Sequence, residues 1–253
     1  MSRPAESPTL QHLPHDEIHV LYTPTSRAAN DDLLARYEAL LSEDERTRHQ
    51  RFLFEKDRTQ FLIARALLRT GLSHYVAVEP ADWQFVTNRY GKPEIRTPND
   101  VPPLRFSLSH TAGMVACGFT KTRDLGVDVE DMQRRGRLLE VADHFFSAAE
   151  VADLKSTPAA DQRSRFFDFW TLKESYIKAR GMGLSIPLRK FSFCVNRSAP
   201  VTVDLAEDLH DDAAHWQFAQ FDPNDRHRIA VATRRRAVPD LRIVFRETVP
   251  LVP

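Results

Sequence analysis

Two carboxylates lie two positions apart in the β-branched segment Leu-Gly-Val-Asp-Val-Glu, residues 125–130. Successive side chains of a strand point to opposite faces, so Asp128 and Glu130 share one face if this segment is a strand. Val127 and Val129 then form the buried face, and the carboxylates face something other than this core. An isolated pair of this kind is more often a solvated strand face, because exposed carboxylates are common. The alternative is a site that holds a hard cation and brings phosphate oxygens to it.

A helix predicted over residues 163–180 carries charges in unusual positions. At about 100° per residue, Lys173 falls inside a narrow apolar stripe and Glu174 lies on its border. Glu174 and Lys178 could simply form an i,i+4 ion pair, worth about 0.2–0.5 kcal/mol. That pair does not account for a lysine in the core stripe. We therefore expect a cleft beside this helix, where the charges can meet a metal or a phosphate.

A third group of chemically capable residues is Ser109 and His110, in the segment Ser-Leu-Ser-His-Thr-Ala-Gly. We predict strands over residues 104–108 and 113–120, with residues 109–112 as the loop between them. A lone histidine in a loop is usually structural or merely exposed. Here the histidine and two hydroxyls end a strand just before a glycine, where backbone N–H groups and side-chain donors can converge on an anion.

The composition limits the classes of partner. Lys+Arg and Asp+Glu both number 35, so nothing in the composition favours nucleic acid or an anionic membrane, and we expect neither as a partner. Cys117 and Cys194 lie in apolar, strand-like settings, which argues against a disulfide framework and fits a reducing cytosol. The chain has no signal-peptide pattern at its start and no run of about 18 apolar residues. We therefore expect a cytoplasmic protein.

Helical and strand patterns occur in both halves of the chain. We predict further helices over residues 31–41, 43–54, 59–76, 138–146 and 148–155. We predict further strands over residues 17–23, 83–87, 191–195, 201–205, 216–221, 229–233 and 241–246. Each half thus has helices and a small sheet, which predicts two α+β subdomains. We expect a loose leader over residues 1–15, an N-terminal subdomain over 16–124 and a C-terminal subdomain over 125–253.

These segments resemble the signature of the Sfp-like 4′-phosphopantetheinyl transferases. The family pattern is a Ser-His loop, then a Gly-hydrophobic-Asp-hydrophobic-Glu strand, then a Trp-x-x-Lys-Glu-x-x-x-Lys helix. This chain has Ser109-His110, then Gly126 to Glu130, then Trp170 to Lys178. An upstream Gly91-Lys92-Pro93 matches the Gly-Lys-Pro turn of the family. Each motif alone is weakly specific, but four motifs in the family order, over most of the chain, form a specific signature.

The resemblance implies an α+β fold of two similar α/β subdomains, related by a pseudo-twofold axis, with coenzyme A and Mg²⁺ in the cleft between them. It implies transfer of the 4′-phosphopantetheine arm of coenzyme A to a serine of an apo acyl- or peptidyl-carrier protein, releasing adenosine 3′,5′-bisphosphate. The carrier could serve fatty acid, polyketide or nonribosomal peptide biosynthesis. Because both parts of the site lie in one chain, we expect a monomer.

The resemblance also implies roles for the carboxylates and for one lysine. Asp128, Glu130 and Glu174 would hold the metal, and Asp128, Glu174 and Lys178 would be the catalytic residues. The chemistry fits these residue types, because Mg²⁺ takes oxygen ligands and Lys178 can add a point charge beside a diphosphate. Glu174, or a metal-bound water that it orients, could take the proton from the carrier serine.

Coenzyme A itself would be bound mainly by residues of the first half. The resemblance implies that Lys178 and His110 contact the diphosphate and the 3′-phosphate region, and that Ser109 and Lys92 line the nucleotide site. Two arginines, Arg48 and Arg65, fall where the family places cationic nucleotide contacts. The chain departs from the family pattern just before the first of them, where a family lysine is replaced by Glu45.

Two other functions stay open on the sequence. One is a Mg²⁺-dependent hydrolase that uses the same carboxylates, with water as the nucleophile, on a nucleotide diphosphate. The other is a non-catalytic module that binds coenzyme A or a carrier protein, although binding alone does not need a complete set of metal ligands. Turnover of coenzyme A with and without a carrier protein distinguishes these functions.

Overall fold

The structure, a computed structural model, describes residues 10–96, 103–196, 198–235 and 240–252. The first half begins with strand β1 (Glu17–Pro24) and continues with four helices and four strands. The helices are α1 (Thr25–Ala28), α2 (Asp31–Ala39), α3 (Glu43–Gln50) and α4 (Glu55–Ser73). The strands are β2 (Phe85–Thr87), β3 (Pro93–Ile95), β4 (Arg105–Thr111) and β5 (Met114–Thr120).

The second half begins with strand β6 (Leu125–Asp131). Its helices are α5 (Leu138–Phe145), α6 (Ala148–Ser156) and α7 (Gln162–Arg180). Its remaining strands are β7 (Phe191–Cys194), β8 (Thr202–Leu205), β9 (Trp216–Asn224), β10 (His227–Arg234) and β11 (Arg242–Glu247). Within the described ranges, no helix is both long enough and apolar enough to cross a membrane.

The predicted helices and strands are present, with their ends shifted by a few residues. Ser42 caps α3 with a complete capping box, because its hydroxyl accepts from the Glu45 N–H and the Glu45 side chain accepts from the Ser42 N–H. Residues 1–9 of the predicted leader lie outside the described residues. In the rest of that segment Leu13 is buried, and the Gln11 N–H donates to the His74 carbonyl at 2.6 Å.

The same topology occurs in both halves of the chain. In each half a strand is followed by a long helix and then by an antiparallel hairpin, whose second strand pairs antiparallel with the first strand. The order is β1-β5-β4 in one sheet, with β11 added in parallel beside β1, and β6-β10-β9 in the other. This repeat confirms the α+β class and is the arrangement expected of two units related by a pseudo-twofold axis.

Three apolar cores separate the layers of the molecule. One lies between α4 and the β1-β5-β4 sheet, one lies between α7 and the β6-β10-β9 sheet, and the third lies between the two sheets. The alternation along β10 shows this directly, because Ala230 and Ala232 belong to the second core whereas Ile229 and Val231 belong to the third. Both faces of this strand are therefore buried, as its continuous apolar sequence predicts.

The two sheets meet where β4 runs beside β6, and side-chain hydroxyls make the junction. A buried backbone N–H needs an acceptor, and alternate residues of β4 provide one to alternate residues of β6. The pairs are Val127 N to Ser107 Oγ (2.8 Å), Val129 N to Ser109 Oγ (3.2 Å) and Asp131 N to Thr111 Oγ1 (3.2 Å). We call these three hydrogen bonds the hydroxyl seam.

Gly126 allows α7 to lie directly on β6. A Cβ atom at this position would lie 1.9 Å from the Ser175 carbonyl oxygen and 2.5 Å from the Ala179 nitrogen, closer than any side chain tolerates. The helix ends at Gly181, which adopts the left-handed conformation (φ 65°) typical of a helix C-terminus. The glycine of the carboxylate strand is thus explained by helix packing.

Candidate active site

Asp128 is the buried centre of the site, with its two carboxylate oxygens in different situations. Oδ1 accepts hydrogen bonds from Lys178 Nζ at 2.7 Å and from Ser109 Oγ at 3.0 Å. Oδ2 is buried and has no hydrogen-bond partner among the described residues. Buried polar atoms are nearly always paired, so an anionic oxygen in this state indicates a place for a cation or a donor.

Glu130 is held by α7 and by the segment that follows β6. The indole Nε1 of Trp170 donates to Oε1 at 2.9 Å, and Arg134 Nε lies 3.5 Å from Oε2. Burial raises the pKa of the Glu130 carboxyl, and the charge of Asp128 raises it further, while Arg134 and the indole oppose this shift. This effect of the Asp128 charge on Glu130 is consistent with the prediction that the two carboxylates share one face of the strand.

Glu174 is electrostatically coupled to both strand carboxylates. Burial, followed by the charges of Asp128 and Glu130, raises the pKa of Glu174 to about 7, while Lys178 and Arg134 oppose the increase. In the described part of the chain, however, no three His, Cys, Asp or Glu side chains are grouped closely enough to hold a metal as they stand. The ammonium of Lys178 is instead the cation that contacts Asp128.

The prediction of a loop at residues 109–112 is wrong, because β4 continues to Thr111 and turns only at Ala112 and Gly113. The hydroxyls that suggested a loop alternate with the period of a strand and form the hydroxyl seam. Ser109 is consequently buried, with 6% of its surface exposed, whereas the next residue, His110, is exposed.

Positive charges from both halves of the chain act on His110. Desolvation lowers the pKa of its imidazole, and the charges of Lys178, Arg65 and Arg48 lower it further. The guanidinium groups of Arg65 and Arg48 lie over the Phe61 ring, with their Cζ atoms 5.2 and 5.7 Å from its centroid. These three charges therefore come from α3, α4 and α7.

The departure at Glu45 has a structural consequence. Its carboxylate accepts a hydrogen bond from Arg69 Nη2 at 2.6 Å and lies 3.5 Å from Arg65 Nε. Arg65 is mostly buried, with 15% of its side chain exposed, and burial lowers the pKa of its guanidinium. Glu45 thus supplies a counter-charge to arginines at a position where the family pattern has a cation.

Lys92 links the two halves. Its ammonium donates to the Leu125 carbonyl at 3.2 Å and to the Ala179 carbonyl at 3.5 Å, at the start of β6 and the end of α7. Burial lowers the pKa of this amine. Lys92 also lines a cavity of about 340 Å³ that reaches Glu174 and Lys178, so the Gly-Lys-Pro turn and the helix motif border the same space.

The expectation that Lys173 faces a cleft is wrong. Its side chain is fully buried, and its ammonium lies 2.8 Å from Glu150 Oε2 and donates to the Leu188 and Phe191 carbonyls at 2.7 Å each. Three acceptors satisfy this lysine inside the second core, so its place in the apolar stripe reflects packing. Trp170 and Arg134 contact Glu130, and the sequence did not predict these contacts, although the tryptophan belongs to the helix motif.

Comparisons with known proteins agree with the motifs. The family description "4′-phosphopantetheinyl transferase superfamily" matches residues 124–232, and "4′-phosphopantetheinyl transferase, N-terminal" matches residues 27–120. The chain is 32% identical to 4′-phosphopantetheinyl transferase Sfp of Bacillus subtilis over 184 residues, which cover 73% of this chain and 78% of that protein. It is 31% identical to 4′-phosphopantetheinyl transferase HetI of Nostoc sp. over 217 residues, which cover 86% of this chain and 87% of that protein.

Among solved structures, the holo-[acyl-carrier-protein] synthase of Thermotoga maritima aligns with 46% of this chain and 66% of its own, at 17% identity and a TM-score of 0.37. The family assignment depends on the two curated relatives, because each is more than 30% identical and is covered over most of its length. The chain belongs to the 4′-phosphopantetheinyl transferase superfamily.

Proposed function

We propose that the site formed by β4, β6 and α7 transfers the 4′-phosphopantetheine arm of coenzyme A to a serine of an apo acyl- or peptidyl-carrier protein. The other product is adenosine 3′,5′-bisphosphate. The observation that carries the proposal is the meeting of Ser109, Asp128 and Lys178 within 3.0 Å, from the three segments that carry the family motifs. Both relatives described above are named as transferases, which gives no support to a hydrolase or to a non-catalytic binding module.

We assign a Mg²⁺ ion to Asp128, Glu130 and Glu174. The residues fit the ion, because they are hard oxygen donors, because the charge of Asp128 raises the pKa of Glu130 and of Glu174, and because Asp128 Oδ2 is buried without a hydrogen-bond partner among the described residues. When bound, the ion would neutralise charge on the diphosphate as the P–O bond breaks. Lys178 would then exchange its contact with Asp128 for one with the diphosphate.

Two side chains would act on the reacting groups during the transfer: Lys178 by its positive charge and Glu174 by accepting a proton. Lys178 adds a positive charge beside the leaving adenosine bisphosphate, in the role that cationic side chains have in phosphoryl transfer. Glu174 can accept the proton of the carrier serine, directly or through a water that it orients. Both residues lie on α7, which Gly126 allows to approach β6.

The nucleotide end of coenzyme A would lie toward the first half. We assign His110, Arg65 and Arg48 to the 3′-phosphate region, where the two arginines provide the positive charges and the imidazole is a hydrogen-bonding group of lowered pKa. Lys92 lines the adjacent cavity, although its ammonium is bound to two backbone carbonyls, so we assign it to the wall of the nucleotide site.

We propose that the protein acts as a monomer, with subdomains over residues 16–124 and 125–253. The support is that residues of both halves contact one another in a single site, as Ser109 and Asp128 do. We also propose a cytoplasmic location, supported by two free cysteines, Cys117 and Cys194, which suit a reducing compartment.

The proposed function is tested by mass spectrometry of several purified apo-carrier proteins after incubation with the protein, coenzyme A and Mg²⁺. Carriers of fatty acid, polyketide and nonribosomal peptide pathways should be compared. We expect at least one carrier to gain the mass of phosphopantetheine, and chelation of the metal or Asp128→Ala to abolish the gain. Consumption of coenzyme A without any carrier would instead show a hydrolase, and coenzyme A binding without transfer to any carrier would show a binding module.

A further inference from the structure

We infer that Ser109 is a positioning residue, which orients Asp128 so that Oδ2 stays available to the metal, and that it does not contact the nucleotide. This inference rests on the proposed function, because it assumes that Asp128 is a metal ligand. The observation behind it is that Ser109 is the only member of the hydroxyl seam that also donates to a carboxylate in the described structure.

The hydroxyl of Ser109 has no remaining hydrogen-bonding capacity. A serine hydroxyl donates one hydrogen bond and accepts two. Ser109 donates to Asp128 Oδ1 at 3.0 Å and accepts from Val129 N at 3.2 Å and from Lys178 Nζ at 2.8 Å. The backbone N–H of Val129, which β6 fixes, holds Oγ in place, and a hydrogen bond donated by this hydroxyl to a ligand would have to replace the one that it donates to Asp128.

These hydrogen bonds hold the Asp128 carboxylate in one orientation. With Oδ1 held by Ser109 and Lys178, the carboxylate cannot rotate freely, and Oδ2 is its oxygen without a hydrogen-bond partner among the residues that the structure describes. When a residue that hydrogen-bonds to a metal ligand and orients it is removed, metal affinity commonly falls by about ten- to a hundred-fold. When Lys178 turns to the diphosphate, Ser109 is the group that keeps Oδ1 in place.

Ser107 provides a matched control. Its hydroxyl accepts from Val127 N at 2.8 Å in the same seam, it is buried like Ser109, and no carboxylate accepts from it in the described structure. Ser107→Ala and Ser109→Ala therefore each remove one member of the seam, so they should lower the melting temperature by similar amounts. Only Ser109→Ala removes the donor to Asp128.

The experiment measures Mn²⁺ binding to the full chain with bound coenzyme A, by electron paramagnetic resonance of free Mn²⁺. We expect Ser109→Ala to weaken Mn²⁺ binding by about tenfold or more, and Ser107→Ala to leave it within twofold of wild type. If Ser109→Ala does not fold, Ser109→Cys is used in its place. The cysteine side chain fills a similar space but is a much weaker hydrogen-bond donor, so we expect the same loss of Mn²⁺ affinity.

Four results would overturn the inference. Equal losses of Mn²⁺ affinity in the Ser107 and Ser109 variants would show a purely structural seam. Unchanged Mn²⁺ affinity in Ser109→Ala would show that Ser109 does not orient Asp128. Weaker binding of coenzyme A by the same variant in the presence of a chelator would show that Ser109 contacts the nucleotide. If wild type itself binds no Mn²⁺, the metal assignment of the proposed function fails, and the inference fails with it.

Discussion

The indole Nε1 of Trp170 lies 2.9 Å from Oε1 of Glu130, and this hydrogen bond joins the helix motif to the carboxylate strand. The indole ring also stacks on Phe166, with centroids 5.8 Å apart and planes inclined by 12°. Trp170 therefore combines a packing role with a directional contact to a carboxylate of the site. The two roles can be separated by substitution.

Trp170→Phe should keep the stacking and lose the donor. We expect Mg²⁺ affinity, measured by titration calorimetry with coenzyme A present, to fall by roughly ten- to a hundred-fold. Trp216→Phe is the matched control, because Trp216 donates its indole N–H to Asp211, which is not among the carboxylates of the site. Equal effects of the two substitutions on Mg²⁺ affinity would contradict a specific role for Trp170.

Arg65→Ala tests how the nucleotide is recognised. A 3′-phosphate met by charge-assisted contacts gains about 1.5–3 kcal/mol per contact, so dephospho-coenzyme A should bind at least about tenfold more weakly than coenzyme A. We expect Arg65→Ala to narrow this ratio, and Arg58→Ala, on the same helix, to leave it unchanged. Calorimetric titration of both ligands gives the ratio, and an unchanged ratio in Arg65→Ala would exclude this contact.

Glu174→Gln should inactivate transfer and yet stabilise the protein above neutral pH. The pKa of Glu174 is raised from 4.5 to about 7 on folding, so the folded state binds the proton more tightly than the unfolded state. Stability is therefore lost as pH rises from about 4.5 through 7, and glutamine removes this loss. We expect a gain of roughly 1–3 kcal/mol at pH 8, which vanishes toward pH 4.

Thermal unfolding at several pH values checks this expectation, in the absence of metal. Glu140→Gln serves as the control, because Glu140 is exposed and pairs with Arg137 on the surface. A Glu174→Gln advantage that is independent of pH would refute the raised pKa of Glu174.

Lys173→Met should destabilise the fold. It leaves the carboxylate of Glu150 buried without its cation, and breaking a buried ion pair from one side commonly costs about 3–5 kcal/mol. The double variant with Glu150→Gln should recover part of this loss, because glutamine is neutral and its carbonyl can still accept from the Ser147 or Phe193 N–H. Urea unfolding measures both, and a cost below about 1 kcal/mol for Lys173→Met would show that the pair contributes little.

Gly126→Ala should separate α7 from β6. The added methyl would meet the Ser175 carbonyl at 1.9 Å, so the helix must shift and carry Glu174 and Lys178 away from Asp128. A displacement of about 1 Å can lower a rate a hundred-fold. Gly136→Ala is the control, since a methyl there meets nothing within 4 Å. Measured transfer rates near wild type in Gly126→Ala would contradict this account of the glycine.

The sequence predicted the carboxylate strand and the helix motif because each is local. Alternating valines around Asp128 indicate a strand, and the period of apolar residues before Lys178 indicates a helix. It did not predict the hydroxyl seam, because serine and threonine occur both in strands and in loops. Only the neighbouring strand β6, whose N–H groups they accept from, shows that these residues belong to a strand. The environment of Lys173 could not be predicted either, because its partner, Glu150, lies on a different helix.

The repeated strand–helix–hairpin topology has a second pair of strands, β9 and β1, that corresponds to β4 and β6. These two strands do not run side by side as β4 and β6 do, and β11 is the strand added beside β1. There the rings of Tyr22 and Phe221 meet at 5.7 Å, and Phe221 stacks on Phe245 at 4.6 Å. One junction is thus polar and the other is filled by aromatic rings. Two repeats make one reactive centre, so we expect a binding stoichiometry of one coenzyme A per chain.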